Sequence, residues 1–133
     1  MPDTGVEGID VSSYQRGLDW KQAAKDVSFA WLKVSEGATW SDPTYGAAVA
    51  AARAAGVKVG GYHWAHPESH PDPKVEADKF LSHLQFEPGD LRPALDFEEP
   101  KATGLGAATL EKWALRWIDL VESELGCAPL SAS

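Results

Sequence analysis

Apolar and polar positions follow one recurring order along the chain: a short β-branched or aromatic run, a polar segment rich in turn formers, then apolar residues three and four apart. Four such repeats predict successive βα units around a parallel sheet. The first run, residues 5–11, leads through SSYQRG into a short amphipathic helix at about 20–25, with Asp19 suited to cap it. The second, FAWLKVS at 29–35, passes through EGATWSDPTY into an Ala-rich helix at about 43–55, bracketed by Pro43 near its first position and Gly56 after its end. The third, 57–62, ends in HWAHPESHPDP, after which Asp72 and Pro73 can start a helix to about residue 84 with Val75, Phe80, Leu81 and Leu84 on its apolar face. The fourth, PALDFE at 93–98, leads through EPKATGLGA to the longest helix, about 110–125, with Thr109 as N-cap and Gly126 beyond its end. Trp113, Trp117, Leu120 and Val121 recur there at core spacing, and Trp31 is likewise read as core. The closing CAPLSAS is enough to begin a fifth strand.

Composition narrows the function classes. A chain of 133 residues, 44% hydrophobic and 24% charged, suits one compact domain. Its net charge of −8 lacks the cationic surface that phosphate binding needs, so nucleic acid is not an expected partner. Charge or proline interrupts every apolar run before the roughly 18–20 residues of a bilayer crossing, so a soluble chain without membrane association is expected. MPDTGVEGID has neither a basic nor an apolar leader region, so no ordinary signal peptide is expected. The single Cys127 excludes an internal disulfide and a multi-cysteine zinc site, and is read as a small semi-buried apolar residue.

In parallel βα architectures functional groups gather at the carboxyl ends of the strands. Here those places hold Asp10, Lys33 to Glu36, Tyr62 to His66, and Asp96 to Glu98. Asp96 and Glu98, two apart in a strand, are aimed at the same face. Two neighbouring carboxyl groups in a low-dielectric cleft resist joint ionisation, so one can stay protonated and act as a general acid of the kind glycosidic bonds need. Asp10 would add a third carboxylate, and Tyr14, Trp40, Tyr62 and Trp64 offer flat apolar faces for sugar rings. Plainer readings stand beside this one. Asp10 would serve as a turn cap, Glu36 as a solvated loop carboxylate, and the DxE pair as an ion-pair partner of Lys33 or Arg92. His63, His66 and His70 with Asp10 and Asp96 would alternatively form a metal site, the basis of a metal-dependent hydrolase.

The segments GIDVSSYQ, DW, FAWLKVSEGATWSDPTY, AAGVKVGGYHWAHP and LRPALDFEE resemble, in order and spacing, the first half of glycoside hydrolase family 25 lysozymes. That resemblance implies a distorted (β/α) barrel of the TIM-like type, of which the chain holds the first four to five βα units. It implies cleavage of the β-1,4 bond between N-acetylmuramic acid and N-acetylglucosamine in bacterial peptidoglycan, without a metal or other cofactor. Carried over by position, Glu98 is the general acid, Asp96 its partner that orients the substrate's N-acetyl group, and Asp10 a further active-site carboxylate. Lys33, Glu36, Tyr62, Trp64 and Tyr14 become substrate-binding residues. Retention of configuration in the family fits either an enzyme nucleophile or the substrate's own acetamido oxygen.

The family's later strands, with a further acidic residue and an aromatic segment, have no counterpart here. Eight-stranded barrels take about 250 residues, so the expectation is a partial catalytic domain that self-associates or meets a complementary C-terminal half to cover its open edges. A non-catalytic wall-binding fragment is the competing expectation. The family's habit also implies a phage endolysin made in the host cytoplasm and acting on the wall, or a protein secreted by another route.

Overall fold

The computed structural model describes residues 8–11, 18–96 and 104–132. Within them the elements run β1 (Gly8–Val11), α1 (Trp20–Ala23), β2 (Phe29–Glu36), β3 (Trp40–Ser41), α2 (Tyr45–Ala54), β4 (Lys58–Trp64), α3 (Lys74–His83), β5 (Ala94–Asp96), α4 (Ala107–Leu125) and β6 (Leu130–Ala132). The sheet order is β1-β2-β4-β5-β6, every neighbouring pair parallel, with β3 hydrogen-bonded antiparallel beside the end of β2. Sequential strands are thus spatial neighbours, as the alternating pattern predicts for successive βα units.

Several termini follow from local chemistry. The Asp19 side chain accepts from the Gln22 N–H at 3.2 Å and caps α1, which is one turn long. Gly56 and Gly126 follow α2 and α4 with φ of 82° and 72°, a left-handed conformation that costs glycine nothing. Other termini differ from expectation. Helix α4 starts at Ala107 with Gly106 as its cap, because the Leu110 N–H already bonds Gly106 O at 3.1 Å; Thr109 lies inside the first turn. Pro43 and Pro73 precede helices α2 and α3 rather than opening them. Strand β4 continues to Trp64, and β3 is an element no periodicity announced.

The four helices among the described residues pack on one face of the sheet. Trp20, Tyr45, Val49, Ala77, Phe80, Trp113, Trp117 and Val121 meet Ala30, Leu32, Val34, Val59 and Leu95 in one cluster. Burying Phe80 completely stabilises the fold by roughly 1.5–3 kcal/mol. Trp113, Trp117 and Val121 are buried and Leu120 packs against them, as their spacing predicts. Val75 is 48% exposed, contrary to expectation: Glu76, Ala77 and Phe80 form the inward face of α3, which turns position 75 to solvent. The opposite face of the sheet carries a smaller cluster of Trp31, Tyr62 and Ala94, flanked by Phe29, Leu91 and Leu130. Strand β4 separates the two cores with bare backbone. A Cβ on Gly60 would fall 2.8 Å from the Trp31 indole nitrogen, and one on Gly61 2.5 Å from Leu84.

Candidate active site

Side chains that reach the carboxyl ends of the strands are sorted between the two faces by one irregularity. The pairing of β2 with β4 shifts between Lys33 and Ser35, so Lys33 faces Tyr62, Ser35 faces His63 and Glu36 faces Trp64. A bulge adds one residue and inverts the alternation beyond it. Val34 and Ser35 therefore both lie on the helix side, and Glu36 returns to the face of Lys33. Without the bulge, Lys33 and Glu36 would point to opposite faces.

With it, Lys33 Nζ donates to Glu36 Oε1 at 2.6 Å and sits over two indoles, 4.9 Å from the Trp40 ring centre and 5.5 Å from that of Trp64. Lys33 is almost fully buried, and among the described residues its charge meets the Glu36 carboxylate and two aromatic faces. Strand β3 brings Trp40 there: Glu36 pairs with Trp40 across the hairpin, and the indole keeps 38% of its surface exposed. Burial alone would raise the Glu36 carboxyl, but hydrogen bonds from Lys33 and His66 hold it below its ordinary value. His66 Nε2 donates to Glu36 Oε2 at 2.7 Å and Nδ1 to Glu68 Oε1 at 2.8 Å. Partial burial opposes the charge on this ring, yet the two carboxylates raise its pKa, in keeping with an imidazolium that donates from both nitrogens. Along the mouth of the cleft the charges thus alternate: Lys33 positive, Glu36 negative, His66 positive, Glu68 negative.

Register extends this row across the sheet. Glu36 pairs with Trp64, Trp64 with Asp96, and Asp96 with Ala132. The Ala65 N–H donates to the Asp96 carbonyl at 2.8 Å, tying the end of β4 to that of β5. Leu95 belongs to the helix-facing core and Ala94 to the opposite cluster, so alternation places Asp96 on the cleft face with Ala94. Lys33, Glu36, Tyr62, Trp64 and Asp96, five of the sequence-predicted site residues, thus share one face, with Tyr62 buried and Trp64 partly open. Position 10 pairs with Trp31, near the end of β1; the Asp10 side chain, Tyr14 and Glu98 lie outside the described residues.

The described residues do not assemble the metal reading. His63 lies on the helix side between Ser35 and Glu76, His66 lies at the cleft mouth, and His70 pairs with Glu76. Among the described residues no three His, Cys, Asp or Glu side chains gather in a metal-binding arrangement. Of the two cations in the plainer ion-pair reading, Lys33 pairs with Glu36 and Arg92 Nε donates to the Ala128 carbonyl at 2.6 Å, while Glu98 lies outside the described residues. His66 enters the sequence reading as a strand-end residue and an alternative metal ligand, not as a partner of Glu36; Glu68 and the buried Glu76 do not enter it as site residues. Aligning the strand ends of β2 and β4 is the signal that brings His66 to Glu36; nothing in the sequence marks Glu76.

Comparison with known proteins points the same way. The pattern of glycosyl hydrolases family 25 matches residues 9–131. The Escherichia coli K12 protein YegX, itself described as uncharacterized, is 33% identical over 131 residues, covering 94% of this chain and 47% of that protein. The N,O-diacetylmuramidase of Arthroderma benhamiae is 29% identical over 133 residues, covering 94% and 56%. The chain therefore spans about half the length of the curated relatives it matches. The solved structure of a muramidase from Trichobolus zukalii superposes with a TM-score of 0.85 at 26% identity, over 95% of this chain and 64% of that one. The parallel α/β sheet is thus the corresponding portion of the TIM-like barrel of those enzymes, and the chain belongs to glycosyl hydrolase family 25.

Proposed function

We propose that this domain is a muramidase, hydrolysing the β-1,4 bond between N-acetylmuramic acid and N-acetylglucosamine in bacterial peptidoglycan. The observation that carries the reading is the strand-end row Glu36, Trp64 and Asp96, with Lys33 held between Trp40 and Trp64 on the same face. Indole faces suit sugar rings, and charged groups beside them suit hydroxyl and acetamido groups. Two relatives named as muramidases support the same substrate.

In this reading Glu98, two residues beyond Asp96, protonates the glycosidic oxygen while Asp96 orients the acetamido group and Asp10 supplies a third carboxylate. Lys33, Glu36, Tyr62, Trp64 and Tyr14 hold the glycan. A neighbouring carboxylate keeps an acid protonated to higher pH, which suits Glu98 to the donor's role. The place of action that follows is the bacterial wall, reached by an endolysin route or by secretion.

The test is reducing-end release from purified peptidoglycan by the chain and by Glu98→Gln, with the mass in solution measured on the same samples. Loss of a general acid lowers the rate by about 10²–10⁴-fold, with the circular dichroism spectrum unchanged. Undiminished release by Glu98→Gln would sink the assignment. Wall binding by the unsubstituted chain without any release would instead mark a binding module.

A further inference from the structure

On the far side of the sheet from the cleft, a second run of hydrogen bonds serves no step of the proposed chemistry. Ser35 Oγ lies 2.8 Å from His63 Nδ1, His63 Nε2 lies 2.8 Å from Glu76 Oε1, and Glu76 Oε2 lies 2.7 Å from His70 Nδ1. Ser35, His63 and Glu76 are all 0% exposed. Hydroxyl, imidazole and carboxylate are the parts of a nucleophilic triad, but no substrate reaches a serine sealed in this way.

Protonation follows from the surroundings. Burial pushes the His63 pKa down, so its ring is neutral. Burial opposes ionisation of Glu76 as well, yet hydrogen bonds from His63, the His66 N–H and His70 hold its carboxyl below the usual value. His63 therefore donates from Nε2 to the Glu76 carboxylate and accepts at Nδ1 from the Ser35 hydroxyl, a tautomer assigned from the network. The ring also stacks on Trp117, centres 5.6 Å apart and planes 19° apart, which fixes its tilt.

Where these bonds lead gives them a use. His63 stands between Tyr62 and Trp64 on β4. The His66 N–H donates to Glu76 Oε1 at 3.1 Å, and the ring of that residue grips Glu36. Ser35, at the other end, follows the extra residue of the bulge and precedes Glu36. Beside its ion pair with Lys33, two supports of Glu36, the backbone that aims it and the imidazole that holds it, thus trace back to one carboxylate behind the sheet.

We propose that Glu76 is a positioning residue for the cleft, fixing the β2 bulge through His63 and the segment after β4 through the His66 backbone, so that Glu36 and Lys33 stay aligned for the glycan. The kinetic consequence rests on the muramidase reading; the geometric one does not.

Glu76→Gln keeps the shape and removes the charge, and His66→Ala cuts the link to Glu36 without touching the buried network. The nuclear Overhauser contact between the His66 ring and the Glu36 side chain reads the geometry without substrate. It is expected to vanish in Glu76→Gln, and its retention would overturn the proposal. In turnover of peptidoglycan, each variant is expected to raise KM about tenfold with kcat within about twofold. The double variant is expected to raise KM no further than the larger single one, because both break the same support. A lower melting temperature with KM unchanged, or single effects that multiply to about a hundredfold, overturns it. If the unsubstituted chain releases no reducing ends, that counts against the muramidase reading alone. The same variants are then compared by co-sedimentation with peptidoglycan, where the same non-additive loss of binding is expected and equal binding overturns the proposal.

Discussion

Two histidine–glutamate pairs lie on opposite sides of the same sheet, at almost the same separation: His63 with Glu76 at 2.8 Å and His66 with Glu36 at 2.7 Å. Their titration is opposite. The first pair is sealed by Phe80 and Trp117, and burial drives the imidazole towards its neutral form. In the second, burial is partial, and two carboxylates outweigh it and raise the pKa. A contact distance therefore does not tell whether a pair is ionic. Solvent access and the number of partners decide, because desolvation of a charge is costly and grows with depth.

Breaking the sealed pair has the largest expected effect. Glu76→Ala leaves the His63 Nε2–H and the His66 N–H without this acceptor behind the sheet, and is expected to cost about 2–5 kcal/mol, on the scale of leaving two donors unsatisfied. Urea denaturation measures it, and a cost below about 1 kcal/mol would mean that water enters behind the sheet.

The next effect is one of pH. His63 is neutral when folded and titrates near 6.5 when unfolded, so its contribution is present above that pH and lost as the solution is acidified below it. Glu76 adds a loss at lower pH, below its unfolded value of 4.5. His66 has the other sign: its contribution is full below 6.5 and lost as pH rises through its raised folded pKa. Melting temperature followed across this range is expected to fall on the acid side. His66→Gln is expected to keep that fall and remove the smaller alkaline one. An unchanged alkaline limb would contradict the assignment of His66 as a double donor.

The smallest effect is expected from an ion pair with no burial. Lys74 and Asp78 meet at 2.8 Å on the open face of α3, and Lys74→Ala is expected to leave the melting temperature unchanged within error, as exposed pairs do. A clear drop would show that depth is not the controlling variable.

Much of the fold was legible because it is written in repeated local signals. Asp19, Gly56 and Gly126 mark helix termini, apolar runs mark strands, and the order of units prescribes a parallel sheet with neighbours in sequence. The site was legible as far as strand ends reveal it, which brought Lys33, Glu36, Tyr62, Trp64 and Asp96 together. Three features were not. The bulge leaves no trace, since Val34 and Ser35 suit either face of a strand. Strand β3 is too short for alternation to register. Glu76, in the first turn of α3, reads as an acid placed there for the helix dipole; only the arrival of His63 from another strand turns that position inward and Val75 outward.

The bulge at Val34 and Ser35 also carries a consequence for inheritance. In β2 the count of residues is itself information: removal of the one extra residue at the bulge leaves a regular alternation with Ser35 and Glu36 on their present sides, whereas removal of a second exchanges them. The strand can therefore lose its one spare residue, but not a second, without sending Glu36 to the helix side of the sheet.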